Sequence, residues 1–108
     1  MSYKVFSIPP FDSQLKRLAK KYPSLKNEFA SLIVSLERSP MQGIRLGNNC
    51  FKIRLAIASK GKGKSGGARV ITCVQVVQST VFLLSVFDKS EKENISDKEL
   101  YALIRFIP

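Results

Sequence analysis

Up to Pro40 the apolar residues recur every three or four positions, and from residue 43 they recur every two. A helical period followed by a strand period, within 108 residues, predicts segregated helices and strands in one domain spanning residues 1–108. Phe11, Leu15, Leu18 and Tyr22 make one stripe, with Lys16, Arg17, Lys20 and Lys21 off it. Pro23 breaks this first helix. Ser24 is placed to cap a second, whose stripe is Leu25, Phe29, Leu32, Ile33 and Leu36 and which ends before Pro40. Ahead of both, Tyr3–Ser7 reads as a short strand stopped by Pro9-Pro10.

In the second half, Phe51, Ile53, Leu55 and Ile57 alternate with Lys52, Arg54 and Ala56, the pattern of a half-buried strand. A Gly/Lys loop follows from Ser59 to Gly67. Arg69–Val77 and Thr80–Phe87 are two further strand runs, joined as a hairpin through Gln78-Ser79. Ser96-Asp97-Lys98-Glu99 is a capping box opening a last helix with Leu100, Leu103 and Ile104 inward. The expected order is β-α-α-β-β-β-α. The fold class is α+β, a small antiparallel sheet with a mixed edge, an N-terminal helix hairpin and a C-terminal helix, the helices on one side. Ile104, Phe106, Ile107 and Pro108 close the chain, either packed on the sheet or meeting a partner.

The chain has no His, and Cys50 and Cys73 lack Cys-x-x-Cys spacing. Structural zinc, His-based metal sites and imidazole chemistry are excluded on that ground. No apolar stretch is long enough to span a membrane, and Met1–Phe6 lacks the apolar run of a signal peptide. A reduced cytoplasm is the expected compartment, with both cysteines as free thiols in or near the core.

Charge narrows the partner. The net charge is +10, and residues 51–69 carry six basic side chains and no acidic one. Such a block favours a polyanion, since each phosphate contact releases counterions; a solvated basic surface is the other reading. Lys52 and Arg54 stand two apart on a strand and share a face, opposite Phe51, Ile53 and Leu55. If the helices cover the apolar face, the cations sit on the uncovered one. Arg69 opens the next strand and can lie beside them, and Lys89 and Lys92 follow the last strand. Like charges so close cost free energy unless an anion relieves them, which argues for a phosphate site; the alternative is that they splay into solvent. The loop lacks the G-x-x-x-x-G-K-[ST] spacing of a nucleoside-triphosphate P-loop. Lys60, Lys62 and Lys64, interleaved with Gly61, Gly63, Gly66 and Gly67, still make a cationic flap suited to following a nucleic-acid backbone.

Three segments together, Phe51-Lys52-Ile53-Arg54, Ser59 to Ile71 and Phe82 to Lys92, resemble the RelE/ParE toxin superfamily, and most closely its HigB-like RelE branch. The resemblance is most specific from about residue 50 to residue 100, where a K-x-R strand, a G-K-G-K-x-G-G-x-R loop and an L-L-x-x-(aromatic)-x-K-x-E ending occur in order. It implies the toxin of a bacterial type II toxin–antitoxin pair. Its partners would be a cognate antitoxin, mRNA and the ribosome, with no membrane, no metal and no small-molecule cofactor. RelE-like members cleave mRNA, usually in the decoding site, by attack of a ribose 2′-OH on the neighbouring phosphate. Carried over by the resemblance, Lys52, Arg54, Arg69 and Lys89 would be the catalytic set, with the Arg69 fork gripping phosphate oxygens. Lys52 would be a candidate base, because neighbouring cations favour a neutral amine. Lys60, Lys62, Lys64, Phe87 and Lys92 would contact RNA. Many relatives carry Tyr where this chain has Phe87, which can stack on a base but not move a proton; equally, Phe87 ends the strand in the core. Acid–base work then falls to a lysine, to Glu91, or to no group at all.

Two other functions fit the same fold: a ParE-like toxin poisoning DNA gyrase, and a nucleic-acid-binding domain with no chemistry. ParE relatives tend to lack the clustered K-x-R, Arg and terminal Lys set, so its presence here favours cleavage.

Overall fold

The computed structural model describes residues 2–61 and 63–108; of residues 64 and 65 it describes the backbone alone. Lys62 and the Lys64 side chain, both expected to contact RNA, therefore lie outside the described residues.

The chain opens with strand β1 (Lys4–Ser7). Pro9 and Pro10 end it and at once begin helix α1 (Pro9–Lys21), because proline lacks an N–H that the first helical turn could not satisfy anyway. Asp12 in the first turn and Lys20 and Lys21 in the last complement the helix dipole. Helix α2 (Leu25–Arg38) follows directly. Ser24 does not cap it through its side chain. Its hydroxyl oxygen instead accepts the Ser59 N–H at 3.0 Å, fastening the start of α2 to a 3-10 turn at Ala58–Lys60. A tertiary donor has taken the oxygen that the local helix would have used.

Strands β2 (Ile44–Gly47) and β3 (Cys50–Leu55) form a hairpin through Asn48 and Asn49, both at positive φ. β2 was not separated from β3 in the expected order, since Ile44-Arg45-Leu46-Gly47 is too short to show a period. After the 3-10 turn comes a single helical turn, α3 (Gly63–Gly66), then β4 (Ala68–Gln75), β5 (Thr80–Asp88) and α4 (Asp97–Ile104). The expected capping box is present, Ser96 accepting from the Glu99 N–H at 3.1 Å. The sheet order is β1-β5-β4-β3-β2, with β1 parallel to β5 and every other pair antiparallel. The α+β architecture is the one expected.

Phe11, Leu18, Leu25, Leu32 and Leu36 from the helix hairpin are buried with Phe51, Ile53, Val70, Val81 and Val86 from the sheet. One expectation is corrected. The helices do not lie on one side only: every residue from Ala68 to Val74 and from Thr80 to Asp88 is buried, whichever face it points to. The Tyr22 hydroxyl, at the end of α1, donates to Asp88, whose side chain alternates with that of Phe87, placing α1 over one face. Lys92 lies over the Phe87 ring and pairs with Glu99 of α4, so the chain from Asp88 through α4 covers the other. Leu100 and Ile95 fill that second layer, and Ile104 and Ile107 pack against the core, leaving Phe106 exposed. The continuous apolar runs of β4 and β5 are the composition of strands buried on both faces.

Candidate active site

β3 and β4 position the cations. Their register pairs Cys50 with Cys73, Lys52 with Ile71 and Arg54 with Arg69. The Val74 N–H donates to the Asn49 carbonyl at 2.8 Å, so the hydrogen-bonded position flanks the cysteine pair. Cys50/Cys73, and by alternation Arg54/Arg69, therefore occupy non-hydrogen-bonded positions, where cross-strand side chains come closest. β4 in turn pairs Arg69 with Phe87 of β5. Arg54, Arg69 and Phe87 thus form one row across three strands, on one face, with Lys52 two residues away on the same face.

The members of the row differ in environment. Arg54 is exposed, and Arg69 is 5% exposed. Burial first, and then the Arg54 guanidinium, pull the Arg69 guanidinium below its ordinary pKa, while Glu93 pulls the other way. Arg69 also donates to the Ala68 carbonyl at 3.1 Å. Lys52 donates to Asn94 at 3.3 Å, linking β3 to the chain ahead of α4. The Lys92 ammonium sits 5.3 Å from the Phe87 ring centroid and pairs with Glu99, so the expected RNA contacts Phe87 and Lys92 are stacked on each other.

Backbone at the start of β4 is held by close approach. A Cβ on Gly67 would lie 2.1 Å from the Leu55 carbonyl oxygen, so only glycine lets the loop return against β3 two residues before Arg69. The Gly67 carbonyl then accepts the Lys89 N–H at 3.1 Å. A cleft of about 540 Å³ opens beside this point, lined by Lys60, Gly66, Lys89, Ser90, Glu91, Lys92 and Glu93. Lys89 is half-buried, and its ammonium makes no ion pair among the described residues.

Lys60 is not a solvated flap cation. Its ammonium pairs with Asp88, which is fully buried and also accepts the Tyr22 hydroxyl at 2.6 Å and the Ser90 N–H and hydroxyl at 3.0 and 2.8 Å. Burial would push the Asp88 carboxyl up; Lys60, Tyr22 and Ser90 outweigh it and hold the carboxyl well below the usual carboxylate range. This knot ties the Gly/Lys loop, the α1–α2 junction and the end of β5 together. The helix stripe gives Tyr22 as a packing residue and gives Asp88 no partner, although Asp88 is the first acidic residue after Glu37 and ends an apolar strand, where a carboxylate needs one. Glu93, close enough to act on Arg69, was missed too; it lies on a turn without periodicity.

The family profile described as the RelE toxin of the RelE/RelB toxin–antitoxin system matches residues 11–106. The chain belongs to the RelE toxin family. The fold agrees. A double mutant of E. coli toxin RelE in the free state is similar at 17% identity and TM-score 0.66, over 100% of each chain. E. coli RelE in complex with a peptide of the antitoxin RelB is similar at 20% identity and TM-score 0.62, over 94% of this chain and 93% of that one. The Mycobacterium tuberculosis RelBE2 toxin–antitoxin complex contains a chain similar at 20% identity and TM-score 0.55, over 82% of this chain and 92% of that one. No sequence among curated proteins matches. At these identities the solved structures speak to the RelE fold alone. No helix among the described residues of this RelE-family chain is long and apolar enough to cross a membrane.

Proposed function

We propose that this RelE-family toxin is an mRNA endoribonuclease acting on translating ribosomes, and that its partner is an acidic cognate antitoxin. The reading rests on the Arg54–Arg69–Phe87 row, two guanidiniums at the closest cross-strand position with an aromatic ring in line. A scissile phosphate placed there would receive the donors of both guanidiniums as charge grows on the phosphorane oxygens. Lys52, on the same face, is the candidate base for the ribose 2′-OH. Lys89, at the rim of the cleft, is the candidate acid for the departing 5′-oxygen, and Glu91 lines the same cleft. Phe87 and Lys92 serve the nucleotide as a supporting pair. Lys60 holds the loop through Asp88, and Lys62 and Lys64 of the same loop are proposed as RNA contacts by their charge alone. The loop composition supports placement in the HigB-like branch.

The test is translation in vitro with primer extension on the message. Cuts within translated codons, lost on adding the antitoxin, are the expected result. Intact message with arrested growth and DNA damage would point to gyrase poisoning, and intact message without either to binding alone.

A further inference from the structure

Cys50 and Cys73 take no part in the cationic row, yet their placement is specific. They are register partners on β3 and β4, and each is 1% exposed. Both thiols reach the same acceptor, the Asn48 carbonyl, at 3.6 and 3.7 Å. The pair occupies a non-hydrogen-bonded position, where opposed Cα atoms stand ~4.5 Å apart, within the ~4.4–6.8 Å that a disulfide spans. We infer that Cys50 and Cys73 are a redox modification site, a cross-strand dithiol that a hydroperoxide closes to a disulfide.

The chemistry follows from the neighbours. Cys50 is the first donor to the Cys73 sulfur, and the Gln75 amide is a second, at 3.7 Å. Against the opposing effect of burial, the two donors favour the thiolate on Cys73, while Cys50 keeps its proton. The Cys73 thiolate attacks one oxygen of hydrogen peroxide; the O–O bond breaks, and hydroxide leaves and takes up a proton as water. The Cys50 sulfur then attacks the sulfur of the resulting sulfenic acid; the S–O bond breaks, and the departing hydroxide leaves as water with the Cys50 proton. Two thiols have lost two electrons and one peroxide has become two waters. The reagent is water-sized, and the pair adjoins the exposed Asn48-Asn49 turn at the end of the edge hairpin.

The experiment treats the reduced full-length chain with hydrogen peroxide, denatures it, alkylates free thiols and weighs it. The expected result is a monomer lighter by two hydrogens with no alkylation, a Cys50–Cys73 peptide link on proteolysis, and two alkylated thiols after dithiothreitol. In the Cys50→Ser variant a dimedone adduct is expected on Cys73. Two alkylated thiols after peroxide, a sulfinic acid without a link, or a disulfide between chains would each overturn the proposal.

Discussion

Arg54 and Arg69 oppose each other across β3 and β4, two cations in register with Phe87 completing the row on β5. Glu93 offsets part of the repulsion between them, and an anion entering the row would add to that relief. Arg69 has the more constrained position, since its neighbours on both sides are paired strands. Replacing it with Ala is expected to lower RNA cleavage by about a hundredfold, the usual cost of losing one preorganised donor to a developing oxyanion. Growth on induction of the variant, together with a circular dichroism spectrum like that of the unsubstituted protein, is the check. Full arrest by Arg69→Ala would remove Arg69 from the reaction.

Arg54 is exposed and supplies the repulsion without being part of the core. Arg54→Ala is therefore expected to leave stability within about 0.5 kcal/mol of the parent, as surface changes do. The anion response should separate the two proteins. Phosphate or a short RNA that binds the folded state raises the melting temperature, and more so the tighter it binds. The rise should be clear for the parent and much reduced for Arg54→Ala. Equal rises in both would show that the anion binds elsewhere.

Asp88 gives the pH dependence a sign. Its carboxyl is held below its ordinary value of 3.8, so the folded state binds the proton more weakly than the unfolded one. The stabilisation is present at neutral pH and is lost as pH falls below about 4. Asp88→Asn leaves the Lys60 ammonium without its carboxylate and is expected to cost about 3 kcal/mol at neutral pH. Urea melts from neutral to acid pH test both statements: the parent should weaken steeply on acidification, and the variant should start weaker and slope less.

The site was partly legible beforehand because strand chemistry is local. Two-residue spacing placed Lys52 and Arg54 on one face, and a tight hairpin brought Arg69 and Phe87 into neighbouring strands. The helix stripes likewise predicted Leu18, Leu25, Leu32 and Leu36 in the core. What escaped depends on distant partners. Ser24 has cap chemistry but bonds Ser59, and Lys60 sits in a flexible-looking loop but pairs with Asp88. Neither partner has a fixed sequence offset that a periodic pattern could reveal. The cover over the second face of β4 and β5 was written in their unbroken apolar runs, which compete with alternation as a reading of β-structure.

Gly67 tests the placement of β4 separately from any charge. A methyl group there would meet the Leu55 carbonyl oxygen at 2.1 Å, a contact that only backbone movement relieves. Gly67→Ala is expected to cost about 2 kcal/mol, in the range of strain at a special backbone position. The displaced loop should also loosen the Lys89 N–H bond to the Gly67 carbonyl, which faster amide exchange at Lys89 would report. Unchanged stability and exchange would mean that the loop has room to spare.

Phe87 lies beside Arg69 and beneath the Lys92 ammonium, and is 6% exposed. The ring fills space and offers its face to a cation, but it has no proton to give. Phe87→Ala is expected to cost about 3 kcal/mol by opening a cavity in the second layer. Phe87→Tyr keeps the ring and adds a hydroxyl among cations, which favour its ionised form and so prepare it for proton transfer. If acid–base catalysis limits the reaction, Tyr at this position should raise the cleavage rate about tenfold and introduce a new dependence on pH. An unchanged rate and profile in Phe87→Tyr, alongside the stability loss in Phe87→Ala, would assign the ring to packing and leave proton transfer to Lys52 and Lys89.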